Sequence, residues 1–327
     1  MLTDTLQLFA LNASRQFGEQ VAHWLGMPVA AHQEREFGGG EHKARSLDNV
    51  RGNDVYVVQS LHADDSGSVN DKLCRLLFFI GALKDAAAAR VTAVVPYLAF
   101  ARKDSKTNPR DPLTLRYAAA MFEAVGTDAV LTLDVHNLSA YQNAFRCGTE
   151  QLDACSLFAK HFLPLVQGVD TVVVSPDTGG AKRANRFRHC LEGGLGKPVA
   201  SALCEKYRKA EQLSGTLLVG EVAGKTAILL DDMIDSGHTL ARAADACRQQ
   251  GAARVFAAAS HGLFSPGAAR VLDDAGFDGL VVTDTIAPFR QDQSLPAHLT
   301  VESCSGLFAE AIRRMHDGGS VSELCAW

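Results

Sequence analysis

The stretch TAILLDDMIDSGHTL, from Thr226 to Leu240, decides how the chain folds. Thr226 to Leu230 have the length and composition of a strand buried on both faces. Two acids follow, Asp231 and Asp232, then the small-residue turn Asp235-Ser236-Gly237-His238-Thr239, then the helical pattern of Thr239 to Gln249. In an open parallel sheet this order places the acids at the carboxyl edge, where ligands bind. The turn exposes consecutive backbone N–H groups at a helix N-terminus, which suits a phosphate dianion, and Ser236 and Thr239 add hydroxyl donors. The two aspartates repel a phosphate and are better matched to hydroxyls that donate to them. A plainer reading stays open: a strand ending in acids, with Ser236 or Thr239 capping the next helix.

Working outward, similar apolar runs recur at Val55–Val58, Val91–Val95, Ala129–Leu133, Thr171–Val174, Val255–Ala259 and Leu280–Val282. Helical patterns separate several of them, at Asp71–Ala88, Leu113–Val125, Cys155–Val166 and Thr239–Gln249. Continuous apolar strands alternating with helices define an α/β, doubly wound chain. The chain also echoes itself. VYVVQS at 55–60 resembles TVVVSP at 171–176, and AVLTLDVH at 129–136 resembles RVFAAASH at 254–261, an offset of about 115 to 125 residues. A duplicated α/β unit with its boundary near residue 150 accounts for both pairs.

The length of 327 residues suits two average domains, and 47% apolar with 21% charged residues suits an ordinary buried core. A net charge of -5 gives no overall pull toward a polyanion, so nucleic-acid binding is not expected. No apolar run approaches the ~20 residues that span a bilayer, and the start, MLTDTLQLFALNAS, lacks a basic region followed by an apolar one. None of the eight cysteines has metal-ligand spacing; they read as buried thiols of a reducing, cytoplasmic compartment.

Asp231 to Thr239 closely resemble the phosphoribosyl-diphosphate (PRPP) motif of the phosphoribosyltransferase fold. Further segments narrow the resemblance to the ribose-phosphate diphosphokinase family: NVRGND at 49–54, RVTAVVPYLAFARKD at 90–104, LTLDVH at 131–136, VVVSPDTGGAKRA at 172–184 and LFAEAIRRM at 307–315. The resemblance implies two tandem phosphoribosyltransferase-like domains, each a mainly parallel sheet flanked by helices. Residues 1–150 would form the ATP side and 151–327 the ribose 5-phosphate side, with the last helix packing on the first domain. It implies transfer of diphosphate from ATP to ribose 5-phosphate with Mg²⁺, in a homodimer or homohexamer.

Residue by residue, Asp231, Asp232, Asp235, Ser236, Gly237, His238 and Thr239 match the ribose 5-phosphate and PRPP site. Lys206 and Arg208, in EKYRK at 205–209, match the lysine and arginine that close over the phosphates, Arg208 also touching the sugar phosphate. His136 and Asp177 match metal-site residues, with Asp134 a second carboxylate nearby. On residue type alone, His136 also reads as a histidine ending a buried strand, and Asp177 as a turn or helix cap. Phe37, Gly39, Gly40, Glu41, Arg102 and Lys103 match the ATP side.

Three departures stand out. Phe37-Gly38-Gly39-Gly40-Glu41 lacks the acid that faces the adenine amino group in the family, and Lys103 replaces a glutamine. His238 stands where many members have glycine; a left-handed backbone there would disfavour it, and its imidazole reads as a bystander. Ser105 to Asp111, SKTNPRD, is poorer in cations than the family's regulatory segment, so weak or absent phosphate activation and ADP inhibition are expected. Two other classes share the motif: a base-accepting phosphoribosyltransferase and a non-catalytic regulatory subunit.

Overall fold

The computed structural model describes residues 5–209, 213–286, 289 and 294–325. The side chains of 206–209, 213–216 and 325 lie outside this set. Two compact units emerge. One holds the chain up to Leu152 together with the C-terminal segment from Cys304, and the other holds Asp153–Asp284 with the strand at 299–302.

The first unit contains β1 (Leu6–Ala10), α1 (Arg15–Leu25), β2 (His32–Glu36), β3 (His42–Ser46), β4 (Asp54–Val58), α2 (Val69–Asp85), β5 (Arg90–Val95), α3 (Thr114–Ala124), β6 (Ala129–Leu133), α4 (Leu138–Ala144) and β7 (Gly148–Leu152). Its five-stranded sheet runs β1-β4-β5-β6-β7, all parallel. Every residue of β4 and β6 is buried, as expected for strands covered on both faces.

In the second unit the order is α5 (Cys155–Val166), β8 (Thr171–Ser175), α6 (Ala181–Leu195), β9 (Ala200–Lys209), β10 (Leu213–Val219), β11 (Thr226–Ile234), α7 (His238–Gln249), β12 (Arg254–Gly262), α8 (Ala268–Asp274), β13 (Gly279–Thr283) and β14 (Leu299–Glu302). The final helix, α9 (Ser305–Asp317), belongs to the first unit. There Phe308 meets Phe17 of α1 edge-on, with centroids 5.4 Å apart. His316 Nδ1 lies 2.8 Å from Asp54 Oδ2, and Arg90 Nη2 donates to the Met315 carbonyl at 3.0 Å.

The seven-stranded sheet runs β10-β9-β8-β11-β12-β13-β14, parallel except for the β9–β10 hairpin. Both units thus repeat one plan: a strand, a hairpin, then four parallel strands, in the spatial orders β1-β4-β5-β6-β7 and β8-β11-β12-β13-β14. The strands that echo in sequence are not the equivalent ones. β4 echoes β8, whereas its topological counterpart is β11; β6 echoes β12, whereas its counterpart is β13. The true repeat is therefore longer than the sequence echo. Fully buried parallel strands share a composition whatever their place in the sheet.

Hairpin β2–β3 carries little apolar alternation and is held instead by a buried ionic network. Glu34 accepts from His32 at 2.9 Å, from Arg75 of α2 at 2.7 Å and from the Asn12 amide at 2.6 Å. Burial pushes its carboxyl up, but these hydrogen bonds outweigh burial and bring it down to about 2.

The cysteines divide. Cys155, Cys190, Cys204, Cys247 and Cys304 are buried, while Cys147 is half-buried and Cys74 exposed, correcting the expectation of uniformly buried thiols; the Cys325 side chain lies outside the described residues. Cys74 sits on α2, whose neighbour Phe78 is likewise exposed, so an apolar-looking residue there does not mark the core. Burial pushes the Cys204 thiol up to about 11 and Cys247 to about 12, which keeps them unreactive. Among the described residues, no helix is long and apolar enough to cross a membrane.

Candidate active site

Between β8 and β11 the second sheet reverses its direction of growth. From β8 the chain crosses through α6 to β9 on one side, and from β11 it crosses through α7 to β12 on the other. Such a switch point opens a crevice at the carboxyl ends of the two strands. Into it the sequence delivers the Asp177 turn after β8 and the Asp231–Thr239 segment of β11 and its loop.

The strand β11 runs four residues farther than its apolar core predicts, so Asp231 and Asp232 lie within it rather than after it. Its partner β12 also continues, to Gly262, with Asp231 opposite Ala259 and Met233 opposite His261. A neighbouring ladder, not local composition, decides where the strand ends. Asp232 is buried and Asp231 half-buried, and the Asp231 carboxylate accepts the Asp232 amide at 2.9 Å. Burial, together with the negative neighbour Asp232, pushes the Asp231 carboxyl well above the ordinary carboxylate range. Arg183, a buried residue of α6, opposes this with its guanidinium 3.6 Å from Asp232.

After β11 the loop is held by the Asp235 carbonyl, which accepts the Ser265 amide at 2.9 Å. The left-handed backbone falls on Gly237 (φ 77°), and His238 is the first residue of α7. His238 is therefore spared a left-handed backbone, and its side chain is exposed. Glycine is required at 237 twice over, because a Cβ there would also lie 2.9 Å from Leu272 Cγ. Ser236 is exposed and Thr239 half-buried at the start of α7, whose first N–H groups have no partner within the helix.

Asp177 is half-buried in a locked turn. Ser175 Oγ donates to its carbonyl at 2.6 Å, and its own Oδ1 accepts the Gly180 amide at 3.1 Å ahead of α6. Lys206 and Arg208 lie on β9, paired with Thr216 and Ser214 of β10; their side chains lie outside the described residues.

In the first unit, Phe37 and Glu41 close the tip of the β2–β3 hairpin, the Phe37 amide donating to the Glu41 carbonyl at 2.8 Å, with Gly40 left-handed (φ 84°). Gly39 stands in open space. Phe37 is exposed, and Arg35 stacks over its ring at 5.2 Å. Arg102 is exposed, whereas Lys103 donates to Asp111 at 2.6 Å inside a loop that Asp111 also ties through Thr107 and Asn108. His136 is exposed on the bend after β6, beside Asp134, a buried residue with a positive φ of 37°. Strain of that kind gathers at functional edges.

Arg183 escaped the sequence reading. Its signal was present: with Ala184, Phe187, Cys190 and Leu191 it falls on the buried stripe of α6, and an arginine on an apolar stripe requires a buried acid beside it.

A doubly wound sheet with an acid pair and a glycine-turned helix N-terminus at its switch point defines a protein of the phosphoribosyltransferase fold. Residues 6–126 match the N-terminal domain of ribose phosphate pyrophosphokinase, and residues 202–326 match the phosphoribosyl synthetase-associated domain. A ribose-phosphate pyrophosphokinase of Caldanaerobacter subterraneus is 37% identical over 323 residues, covering 98% of each chain. The crystal structure of phosphoribosylpyrophosphate synthetase from Mycobacterium smegmatis superposes with a TM-score of 0.87 at 35% identity, covering 97% of this chain and 100% of that one. The chain belongs to the ribose-phosphate pyrophosphokinase family.

Proposed function

We propose that the chain transfers the intact diphosphate of ATP to the C1 hydroxyl of ribose 5-phosphate, releasing AMP and forming PRPP. The observation that carries this reading is the β11–α7 junction, where an acid pair meets a helix N-terminus turned by a left-handed Gly237. The loop Asp235–Thr239 holds the 5-phosphate through backbone N–H groups and the Ser236 and Thr239 hydroxyls. Asp231 and Asp232 accept the ribose hydroxyls, which fixes the sugar and aims O1 at the β-phosphorus.

Charge builds on the phosphoryl oxygens in the transition state and calls for cations. Lys206 supplies a compact ammonium and Arg208 a bidentate fork. Both stand on the hairpin at the edge of the sheet, outside its parallel core. The first unit takes the nucleotide, with Phe37 and Glu41 at the hairpin tip and Arg102 and Lys103 after β5.

Mg²⁺ prefers oxygen ligands and keeps several waters. Among the described residues no group of three or more His, Cys, Asp or Glu is assembled for a metal, so Mg²⁺ would take most of its shell from water and substrate phosphates. Asp177, steadied by its turn, and His136, exposed at its strand end, suit water-mediated contacts of that kind. When bound, the ion neutralises phosphate charge. By resemblance the protein is a cytoplasmic homodimer or homohexamer.

The test is AMP formation from ATP and ribose 5-phosphate with no nucleobase present. Turnover only with a base would mark a base-accepting phosphoribosyltransferase. No turnover under either condition would mark a regulatory subunit.

A further inference from the structure

Two carboxyls on consecutive residues of a buried strand end are costly, because like charges in such a place cannot both ionise without a cation. The structure supplies one. Arg183 enters from α6, on the stripe that packs against the sheet, with its side chain 10% exposed and its guanidinium 3.6 Å from Asp232, itself 5% exposed. The other titratable groups that neighbouring elements bring to this strand end are Asp177 after β8, His261 on β12 and Asp235 in the loop. Among the described residues, Arg183 is a positive group ion-paired to Asp232.

We infer that Arg183 is a positioning residue that draws the Asp231–Asp232 pair toward its fully accepting form, and thereby tunes recognition of the ribose hydroxyls. The inference rests on the reading that these acids meet the sugar. A carboxylate offers acceptors only, so it can take a proton from each of two vicinal hydroxyls. Once the pair shares a proton, one oxygen becomes a donor facing donors, and that recognition is weakened. Burial and the like charge of Asp232 raise Asp231 even with Arg183 present, so the pair leans toward sharing a proton, and the guanidinium 3.6 Å from Asp232 works against that. Arg183 need never touch the sugar.

The experiment compares wild type, Arg183→Met and Arg183→Met/Asp232→Asn by AMP release, with ribose 5-phosphate and 2-deoxyribose 5-phosphate as acceptors. A site built to accept a hydroxyl rejects the analogue that lacks it, so wild type should prefer ribose 5-phosphate by about 100-fold or more. In Arg183→Met, KM for ribose 5-phosphate should rise about 10- to 100-fold and the preference should shrink to a few-fold, with kcat at saturation falling much less. Removing the uncompensated charge in the double variant should recover at least about half of the lost preference on a logarithmic scale, the non-additivity expected of a coupled pair.

Unchanged KM and preference in Arg183→Met overturn the inference, and so does a double variant no better than the single one, which would mark Arg183 as packing alone. Should Arg183→Met fail to fold, Arg183→Lys carries the test: retention of most of the preference supports a role for the charge, and its loss in a folded lysine variant overturns it. An inactive wild type refutes the functional reading itself and takes the inference with it, an outcome distinct from an active wild type whose selectivity ignores Arg183.

Discussion

Replacing Gly237 with alanine probes the proposed phosphate loop through its backbone. Two costs can be read from the structure. The residue has φ 77°, in the left-handed region, where an L side chain costs roughly 1–2 kcal/mol. Its new Cβ would stand 2.9 Å from Leu272 Cγ and 3.1 Å from Cδ2, inside the distance that carbon pairs tolerate, and overpacking of this kind costs roughly 1–3 kcal/mol. Together they predict a loss of about 2–5 kcal/mol, a drop in Tm on the order of 10 °C for a unit of this size. The loop amides would also leave their directions toward the phosphate, so KM for ribose 5-phosphate should rise at least about 10-fold. Calorimetry and steady-state kinetics on the same preparations measure both. Leu272→Ala separates the two costs: it is destabilising alone because Leu272 is core, yet combined with Gly237→Ala it should cost about 1–2 kcal/mol less than the sum, since the clash is gone and only the backbone strain remains. A Gly237→Ala protein with unchanged Tm and KM would refute the reasoning for both the turn and the site.

Lys206→Ala should lower kcat by orders of magnitude while ribose 5-phosphate affinity, measured by calorimetric titration, changes little; unchanged turnover would remove Lys206 from the mechanism. Glu34 predicts an acid-sensitive hairpin. Its folded carboxyl lies near 2 against an ordinary 4.5, so the stability it contributes is complete above about pH 4.5 and is lost as pH falls toward 2. Glu34→Gln should cost about 3 kcal/mol at neutral pH by leaving Arg75 without its buried partner, and the gap to wild type in Tm should close between pH 4.5 and 2. A gap that persists at pH 2 would assign the loss to packing instead. Finally, activity plotted against phosphate should be hyperbolic or flat, given the cation-poor segment at 105–111, whose Asp111 already engages Lys103; a sigmoidal rise would refute that.

The α/β class, most parallel strands and the small-residue turn between β11 and α7 were legible in the sequence by itself, because each depends on local information: apolar runs that only a doubly covered strand can bury, and short side chains where the chain must turn. The limits of some elements are local too, as in the strand Ala129–Leu133 and the helix Cys155–Val166, which the structure places at the residues their apolar patterns mark. Other features were decided only by partners distant in the chain. Hairpin β2–β3 is charged along both strands and exists because Arg75, His32 and the Asn12 amide satisfy Glu34. Strand β11 reaches Ile234 because β12 runs beside it, which brings Asp231 and Asp232 into the sheet. The repeat of the two units lies in strand order, not in the strands that look alike. Arg183 joins the acid pair from a helix some fifty residues upstream. Sequence determines what each segment is able to bury and how it can turn, whereas the ionisation of a buried acid depends on which charge the folded chain sets beside it, and only tertiary structure makes that choice.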